Sequence, residues 1–408
     1  MKSSSSGDIE RTLEDLLVYD NLAFSTPRPR GSSFDGDDND VKDVWVNASA
    51  RAPFVYDSTH LNVEFFGDPS WPRILLFVHG VCESAETWTV QHLARICASR
   101  NWRMAVLELE GHGLSEGTRG LIGSSWSRCV KQVTAFCEHS LSIDRVQKRS
   151  ASAGGPNRST DELRRSRFVL AGASLGGALV AYASQSILED GNWNDSFAGT
   201  FLLSPAVGVD PLVVPPPFVV ACLSALSWVL PSVGIEGATP TEDPSHYNCP
   251  PWTNRNFSGA WPLGTSKMLL DVTSKRIPDN VASGKLNLLR PRATNEKALK
   301  HSILVLSGDK DPVVPIEAVR RFVDGMKTRG EELTPEQKTK DANSAAATER
   351  TIEIVEIKKG DHGLLAQSTE DPDIGKTQKK TTEATIDHVN SFLKLCEEMD
   401  TINTYEYH

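Results

Sequence analysis

The sequence predicts an α/β protein with a mostly parallel sheet and helices on both of its faces, and three observations carry that expectation. Short, nearly continuous apolar runs recur along the chain, as strands buried on both faces require. Stretches with helical spacing separate several of them, such as Trp126, Val130, Val133 and Phe136, and near the end Ile386, Val389, Leu393 and Cys396. The most unusual polar motifs fall directly after apolar runs, at the strand ends where such sheets place their ligand sites.

In chain order the runs are residues 44–46, 62–66, 74–78, 104–109, 168–171, 201–203, 303–306 and 351–357. With 408 residues and 39% apolar content, the chain can bury a sizeable core and still carry an inserted smaller element. Residues 1–43 read as a flexible N-terminal arm, because the Pro, Gly, Ser and Asp of 25–40 cannot bury enough apolar surface to offset their ordering. Residues 44–205 form the first part of the core, interrupted by a polar insert at about 147–165. Residues 206–300 are too long for a loop and read as a cap over the carboxyl edge of the sheet. Residues 301–408 complete the core, with a second polar insert at about 327–350.

The net charge of -10 argues against a nucleic-acid partner, since phosphate binding needs a clustered basic face. Seven cysteines without CxxC spacing fit neither a disulfide framework nor a zinc site and read as reduced thiols. No apolar signal core follows Met1, so the cytoplasm is the expected address.

The segment Gly172-Ala173-Ser174-Leu175-Gly176-Gly177 follows the run 168–171 and precedes Ala178-Leu179-Val180-Ala181-Tyr182, a good helix opening. This is the strand, sharp turn and helix that a GxSxG nucleophile needs, and it makes Ser174 the candidate nucleophile. A serine hydroxyl attacks poorly until a histidine takes its proton, and the histidine needs a carboxylate to fix its tautomer. In sheets with such an elbow the acid and then the histidine follow the serine. Of His246, His301, His362, His388 and His408, only His362 sits between a late run and the last helix, in Gly360-Asp361-His362-Gly363. His388 falls within that helix, His301 precedes a run at its wrong end, His246 lies in the cap segment and His408 is terminal. The acid is expected after 303–306, where Gly308-Asp309-Lys310-Asp311-Pro312 offers two aspartates. Asp311 is favoured; Asp309 can instead close the turn through its own backbone, and Asp361 ranks third because it adjoins the histidine.

Attack on an ester builds an oxyanion that preorganised donors must meet, normally the N–H after the nucleophile and one from the loop after the third strand. Those are Leu175 and Val81, the latter in His79-Gly80-Val81-Cys82-Glu83-Ser84. His79 itself reads as a brace for that loop.

With these residues in view, the chain resembles the monoacylglycerol lipase-like, or serine aminopeptidase-like, branch of the α/β hydrolases. The resemblance rests on His79-Gly80 with Glu83-Ser84, on Glu110-Gly111-His112-Gly113-Leu114-Ser115-Glu116-Gly117, on the Ser174 elbow, and on Gly308 with Asp311 and His362. It implies the α/β-hydrolase fold, a mostly parallel sheet of the eight-stranded type with an inserted cap. It also implies a serine carboxylester hydrolase that cleaves a single-chain lipid ester, of monoacylglycerol or lysophospholipid type, through an acyl-serine intermediate without cofactor or metal. Acyl transfer to an alcohol uses the same residues and is the alternative, as is a binding protein that has kept the fold. The chain departs from the branch at Val81-Cys82 and in a Pro-rich cap.

Within that cap no charged residue lies between Asp210 and Glu236, and residues 218–230 are almost wholly apolar. Prolines 211, 215, 216, 217 and 231 bound a helix far short of the roughly 20 residues that a bilayer span requires. It is expected either to pack on the core or to rest in a lipid interface, anchored by Trp228, with its inner face lining an acyl tunnel. A peripheral membrane contact through 218–230 and a small-molecule acyl ester are thus the expected partners.

Overall fold

The computed structural model describes residues 46–123, 125–152, 167–190, 193, 196–235, 255–289, 301–331, 350–367 and 375–405. The N-terminal arm lies outside them, as do the greater parts of both polar inserts, residues 236–254 and 290–300 of the cap segment, and His246 and His408.

The strands are β1 (Ala50–Arg51), β2 (Phe54–Tyr56), β3 (Thr59–Leu61), β4 (Val63–Phe66), β5 (Arg73–Val78), β6 (Trp102–Leu107), β7 (Arg167–Ala173), β8 (Phe197–Leu203), β9 (His301–Gly308) and β10 (Arg350–Ile357). An 8-stranded sheet runs in the order β1-β4-β6-β5-β7-β8-β9-β10, while β2 and β3 pair separately. From β6 to β10 every pairing is parallel; only β1 and β4, at one edge, run antiparallel to their neighbours. This is the α/β-hydrolase fold: the runs and their spacing predict the mostly parallel sheet, and the resemblance of the motif blocks implies the particular fold. The carboxyl ends of β5, β7, β8 and β9 therefore lie side by side along one edge.

The parallel strands are apolar throughout because both faces are covered. In β5, Ile74, Leu76 and Val78 enter one core while Leu75 and Phe77 enter the other. The first core is completed by α2 (Trp126–Ser152), α3 (Leu175–Asp190) and α7 (Ile316–Glu331), which contribute Val133, Phe136, Leu179, Val319 and Phe322. The second is covered by α1 (Trp88–Ser99) and α8 (Lys376–Tyr405) through Val90, Leu93, Val389 and Phe392. Thr87 starts α1 by accepting the Val90 N–H at 3.2 Å.

Three local expectations are corrected. Val46 is not in a strand: the side-chain amide of Gln91 takes both its N–H (2.7 Å) and its carbonyl (3.0 Å), supplying what a ladder would have supplied. Gln147–Ser152, read as the start of a solvated insert, continue α2. Their anchor is a buried ion cluster in which Arg103 of β6 meets Asp144 at 3.1 Å, Asp144 meets Lys148 at 2.7 Å, and Arg103 also donates to Gln147. Likewise α7 runs on to Glu331, so residues 327–331 are helical.

The cap segment contributes α4 (Pro217–Val229), α5 (Leu263–Asp271) and α6 (Ile277–Ala282), the last two joined by one wide turn at Val272–Arg276. Among the described residues, no helix is long and apolar enough to cross a membrane.

Burial holds His79 and His301 neutral by lowering each to about 3, and His112 by lowering it to about 4, from an ordinary 6.5. The unfolded chain takes up those protons first, so stability is fully present above about pH 6.5 and falls as pH drops through the window down to the folded values. Denaturant midpoints at pH 7.5 and pH 5.5 should differ accordingly, each such histidine adding up to about 1.4 kcal/mol per pH unit. Replacing His301 by Gln should shrink that difference; an unchanged difference would show that His301 is not buried in neutral form.

Candidate active site

The carboxyl edge of the sheet assembles the site. Strand β7 ends in Ala173, and Ser174 follows with a φ of 49°, a left-handed conformation that a residue with a Cβ adopts only when its surroundings hold it. Those holds are visible: the Ser174 N–H donates to the Leu203 carbonyl at 2.9 Å, and its own carbonyl accepts from Ala178 at 3.1 Å and Ala206 at 2.9 Å. The elbow also needs room. A Cβ on Gly176 would lie 2.2 Å from the Val78 carbonyl oxygen and 2.4 Å from that of His79, so only glycine lets α3 start against the end of β5.

Ser174, His362 and Asp311 are brought together in one hydrogen-bonded chain. His362 Nε2 lies 2.8 Å from Ser174 Oγ, and His362 Nδ1 lies 2.7 Å from Asp311 Oδ2. A carboxylate can only accept, so Nδ1 carries the proton and Nε2 faces the hydroxyl with its lone pair. The other Asp311 oxygen accepts the N–H groups of Val313 and Val314, each at 2.8 Å, which fixes the carboxylate against rotation. Asp311 and His362 are buried, whereas Ser174 is partly open.

The two competing aspartates have other work. Asp309 accepts the Lys359 N–H at 2.6 Å and ties the ends of β9 and β10 together. Asp361 accepts from Gly363 at 3.0 Å within its own turn. His301 starts β9 at the opposite edge of the sheet beside Thr200, and His388 is exposed on α8.

Val81 borders the cavity in front of Ser174, and Leu175 is the first residue of α3. Among the described residues, neither N–H has an acceptor within the protein. At a helix start and a loop after β5, these are the positions from which donors can meet charge developing beside Ser174. His79 takes the bracing role: its Nε2 accepts the Leu109 N–H at 3.1 Å, so its Nδ1–H is the group that donates to the Gly80 carbonyl at 2.7 Å. Glu83 completes the loop by accepting the Gly80 N–H at 2.7 Å.

The cavity is walled mainly by apolar groups, among them Leu203, Trp261, Val313 and Leu364, with Glu83 and Thr89 as polar lining. The expectation that α4 lines it is not met: no α4 residue borders the cavity or is buried, and Trp261, ahead of α5, is the cap side chain that reaches it. Trp261 and Leu364 have no signal in the sequence, because apolar residues in loops carry no periodicity. Among the described residues, no cluster of three or more His, Cys, Asp or Glu is placed to hold a metal ion.

The Gly-His-Gly-Leu-Ser-Glu-Gly block proves to be a scaffold around a buried carboxylate. Gly113 has a φ of 54° and lies so close to Glu108 that a Cβ would fall 2.0 Å from the Glu108 Cδ. Glu108 accepts the N–H groups of Leu114 at 2.6 Å and Ala85 at 2.9 Å, linking this block to the loop that carries Val81.

Comparison with known proteins bears on this fold and edge geometry. Residues 70–250 match the family model described as serine aminopeptidase, S33, so this part of the chain has the sequence pattern of the branch that its motif blocks resemble. Among solved structures, a soluble variant of the monoglyceride lipase of Saccharomyces cerevisiae, in complex with a substrate analogue, aligns at 11% identity and TM-score 0.53, covering 88% of this chain and 98% of that one. The structure of the DcsB complex with its substrate analogue aligns at 12% identity and TM-score 0.51, covering 85% and 98%. The monoacylglycerol lipase of Paleococcus ferrophilus aligns at 19% identity and TM-score 0.48, covering 81% and 98%. At such identities what the first two share with this chain is the fold. No curated protein matches in sequence.

The geometry makes sharp demands on variants. Ser174→Ala should abolish covalent labelling by a fluorophosphonate and all ester turnover while leaving the thermal midpoint in place, since it removes one partly exposed oxygen. Asp311→Asn should lower kcat by roughly 10⁴-fold, because the wrong imidazole tautomer then faces the hydroxyl, while Asp309→Asn should cost little. Labelling that persists in Ser174→Ala, or the reverse ranking of the two aspartates, would contradict this arrangement.

Proposed function

We propose that this protein is a serine carboxylester hydrolase that cleaves single-chain lipid esters, of monoacylglycerol or lysophospholipid type, through an acyl-serine intermediate. The observation that supports it most directly is the chain from Ser174 Oγ through His362 to Asp311. His362 takes the serine proton as Ser174 attacks the ester carbonyl, Val81 and Leu175 meet the oxyanion, and the protonated imidazole then gives its proton to the leaving alcohol. Water repeats the sequence on the acyl-serine, with His362 again as base.

The lipid class rests on the cap. The less exposed side of α4 is Val220, Leu223, Ser224 and Ser227, at helical spacing, with both serine hydroxyls turned back onto helix carbonyls. Its outer side carries Phe218, Leu226, Trp228 and Val229, of which Phe218 is 77% and Trp228 89% exposed. A helix whose apolar side faces outward, in a charge-free stretch from 211 to 235, suits a lipid interface rather than water. In the proposed role α4 rests on the bilayer while the cavity behind Trp261 receives the ester drawn from it.

A panel of glycerol, phospholipid and short acyl esters tests the substrate class, with preference expected for single-chain lipid esters. Leu226→Glu and Trp228→Glu should weaken liposome binding and turnover of a vesicle-borne ester several-fold while sparing a soluble short-chain ester. Equal losses on both substrates, or none on either, would remove the membrane role from α4.

A further inference from the structure

The loop between β5 and α1 carries Val81 and is bonded to one segment distant in sequence. Within the loop Cys82 has a φ of 62°, a left-handed conformation for a residue with a Cβ. Three consecutive cap residues hold the loop there. The Phe257 N–H donates to the Cys82 carbonyl at 2.8 Å. Ser84 Oγ donates to Asn256 Oδ1 at 2.8 Å, across 172 positions of sequence, and accepts the Glu86 N–H at 3.2 Å. Arg255 pairs with Glu86 at 3.1 Å.

Arg255 is itself clamped to the core. The Arg255 guanidinium reaches Glu64 at 2.6 Å and Glu108 at 3.6 Å, both buried, and the Arg255 carbonyl accepts from Arg119 at 2.6 Å. Burial and Glu64 push Glu108 upward while Arg255 opposes them, so the cation belongs to the charge balance of the Glu108 scaffold described above. Ala85, one residue beyond Ser84, hangs from that same carboxylate. The loop is thus fixed from the sheet side by Glu108 and from the cap side by residues 255–257.

We propose that Arg255-Asn256-Phe257 is a positioning strap that holds the Val81 N–H in its oxyanion-facing orientation, so that the cap governs the chemical step as well as enclosing the substrate. This rests on the reading of Ser174 as nucleophile and Val81 as oxyanion donor. Without the strap, Cys82 relaxes from its left-handed conformation, the peptide before it turns, and Val81 shifts with it. A displaced donor weakens transition-state stabilisation more than substrate binding.

The test uses the full chain, a soluble short-chain p-nitrophenyl ester, a trifluoromethyl ketone that forms an oxyanion adduct with a nucleophilic serine, and the matching alcohol, which cannot. Asn256→Ala and Ser84→Ala, which remove opposite ends of one hydrogen bond, should each lower kcat about 10-fold with little change in KM. The trifluoromethyl ketone should lose affinity by the same factor as kcat/KM, while the alcohol binds as before. The double variant should lose less than the product of the two single losses, because the two variants share one contact. Arg255→Lys should retain more activity than Arg255→Met.

Variants that fold and bind the ketone as tightly as the unmodified chain would overturn the strap, as would equal losses for ketone and alcohol, which mark a damaged cavity. If the unmodified chain itself forms no adduct with the ketone, the reading of Ser174 fails and the strap with it. The two failures are therefore distinguishable.

Discussion

A left-handed turn at Ser174 is the constraint on which the rest of the site depends. At a φ of 49° the serine leaves the line of β7 abruptly, so its hydroxyl projects above the sheet instead of entering a core. The turn is held by the carbonyl of Leu203 on the neighbouring strand and by the first helical bonds of α3, and it is possible only because Gly176 lets that helix start within van der Waals reach of the end of β5. Parallel pairing then brings the loops after β5, β9 and β10 to the same edge. Val81, Asp311 and His362 arrive around the serine as a consequence of strand order. Such strain persists because a large core surrounds it on both faces of the sheet.

Much of this was legible in the sequence for definite reasons. A parallel strand buried on both faces must be apolar throughout, which made 74–78 and 303–306 visible and placed the motifs that follow them at strand ends. Asp311 is preferred to Asp309 because an aspartate just after a turn glycine can close the turn through its own backbone; in the structure Asp309 instead takes the N–H of Lys359, 50 positions away, a bond that no local pattern announces. Other parts carried no local signal. Val46 looked like a strand, but its backbone is satisfied by a glutamine 45 positions away. The continuation of α2 through a charged stretch depends on Arg103, a buried residue inside β6 whose partners no pattern announces.

The cap shows the same division. The charge-free stretch and its prolines located α4, and the helix is where they put it, yet which way its apolar side faces is a tertiary fact. The segment Arg255-Asn256-Phe257 is unremarkable as sequence and becomes significant only through Cys82, Ser84 and Glu86. It joins the Gly-His-Gly block, the Glu108 carboxylate and the Val81 loop into one framework. Recurring motifs in such a chain therefore mark two different things: the groups proposed to react, and the carboxylate scaffold that keeps a neighbouring loop in shape.

The central claim is that acyl groups pass through Ser174. Quenching the protein with acid during turnover of a p-nitrophenyl butyrate ester, followed by digestion and mass spectrometry, tests it most directly. The account predicts a butyryl mass on the peptide that contains Ser174, appearing within the first turnover and vanishing once substrate is exhausted. Turnover at the same rate with no adduct there, or with the adduct on another residue, would contradict it.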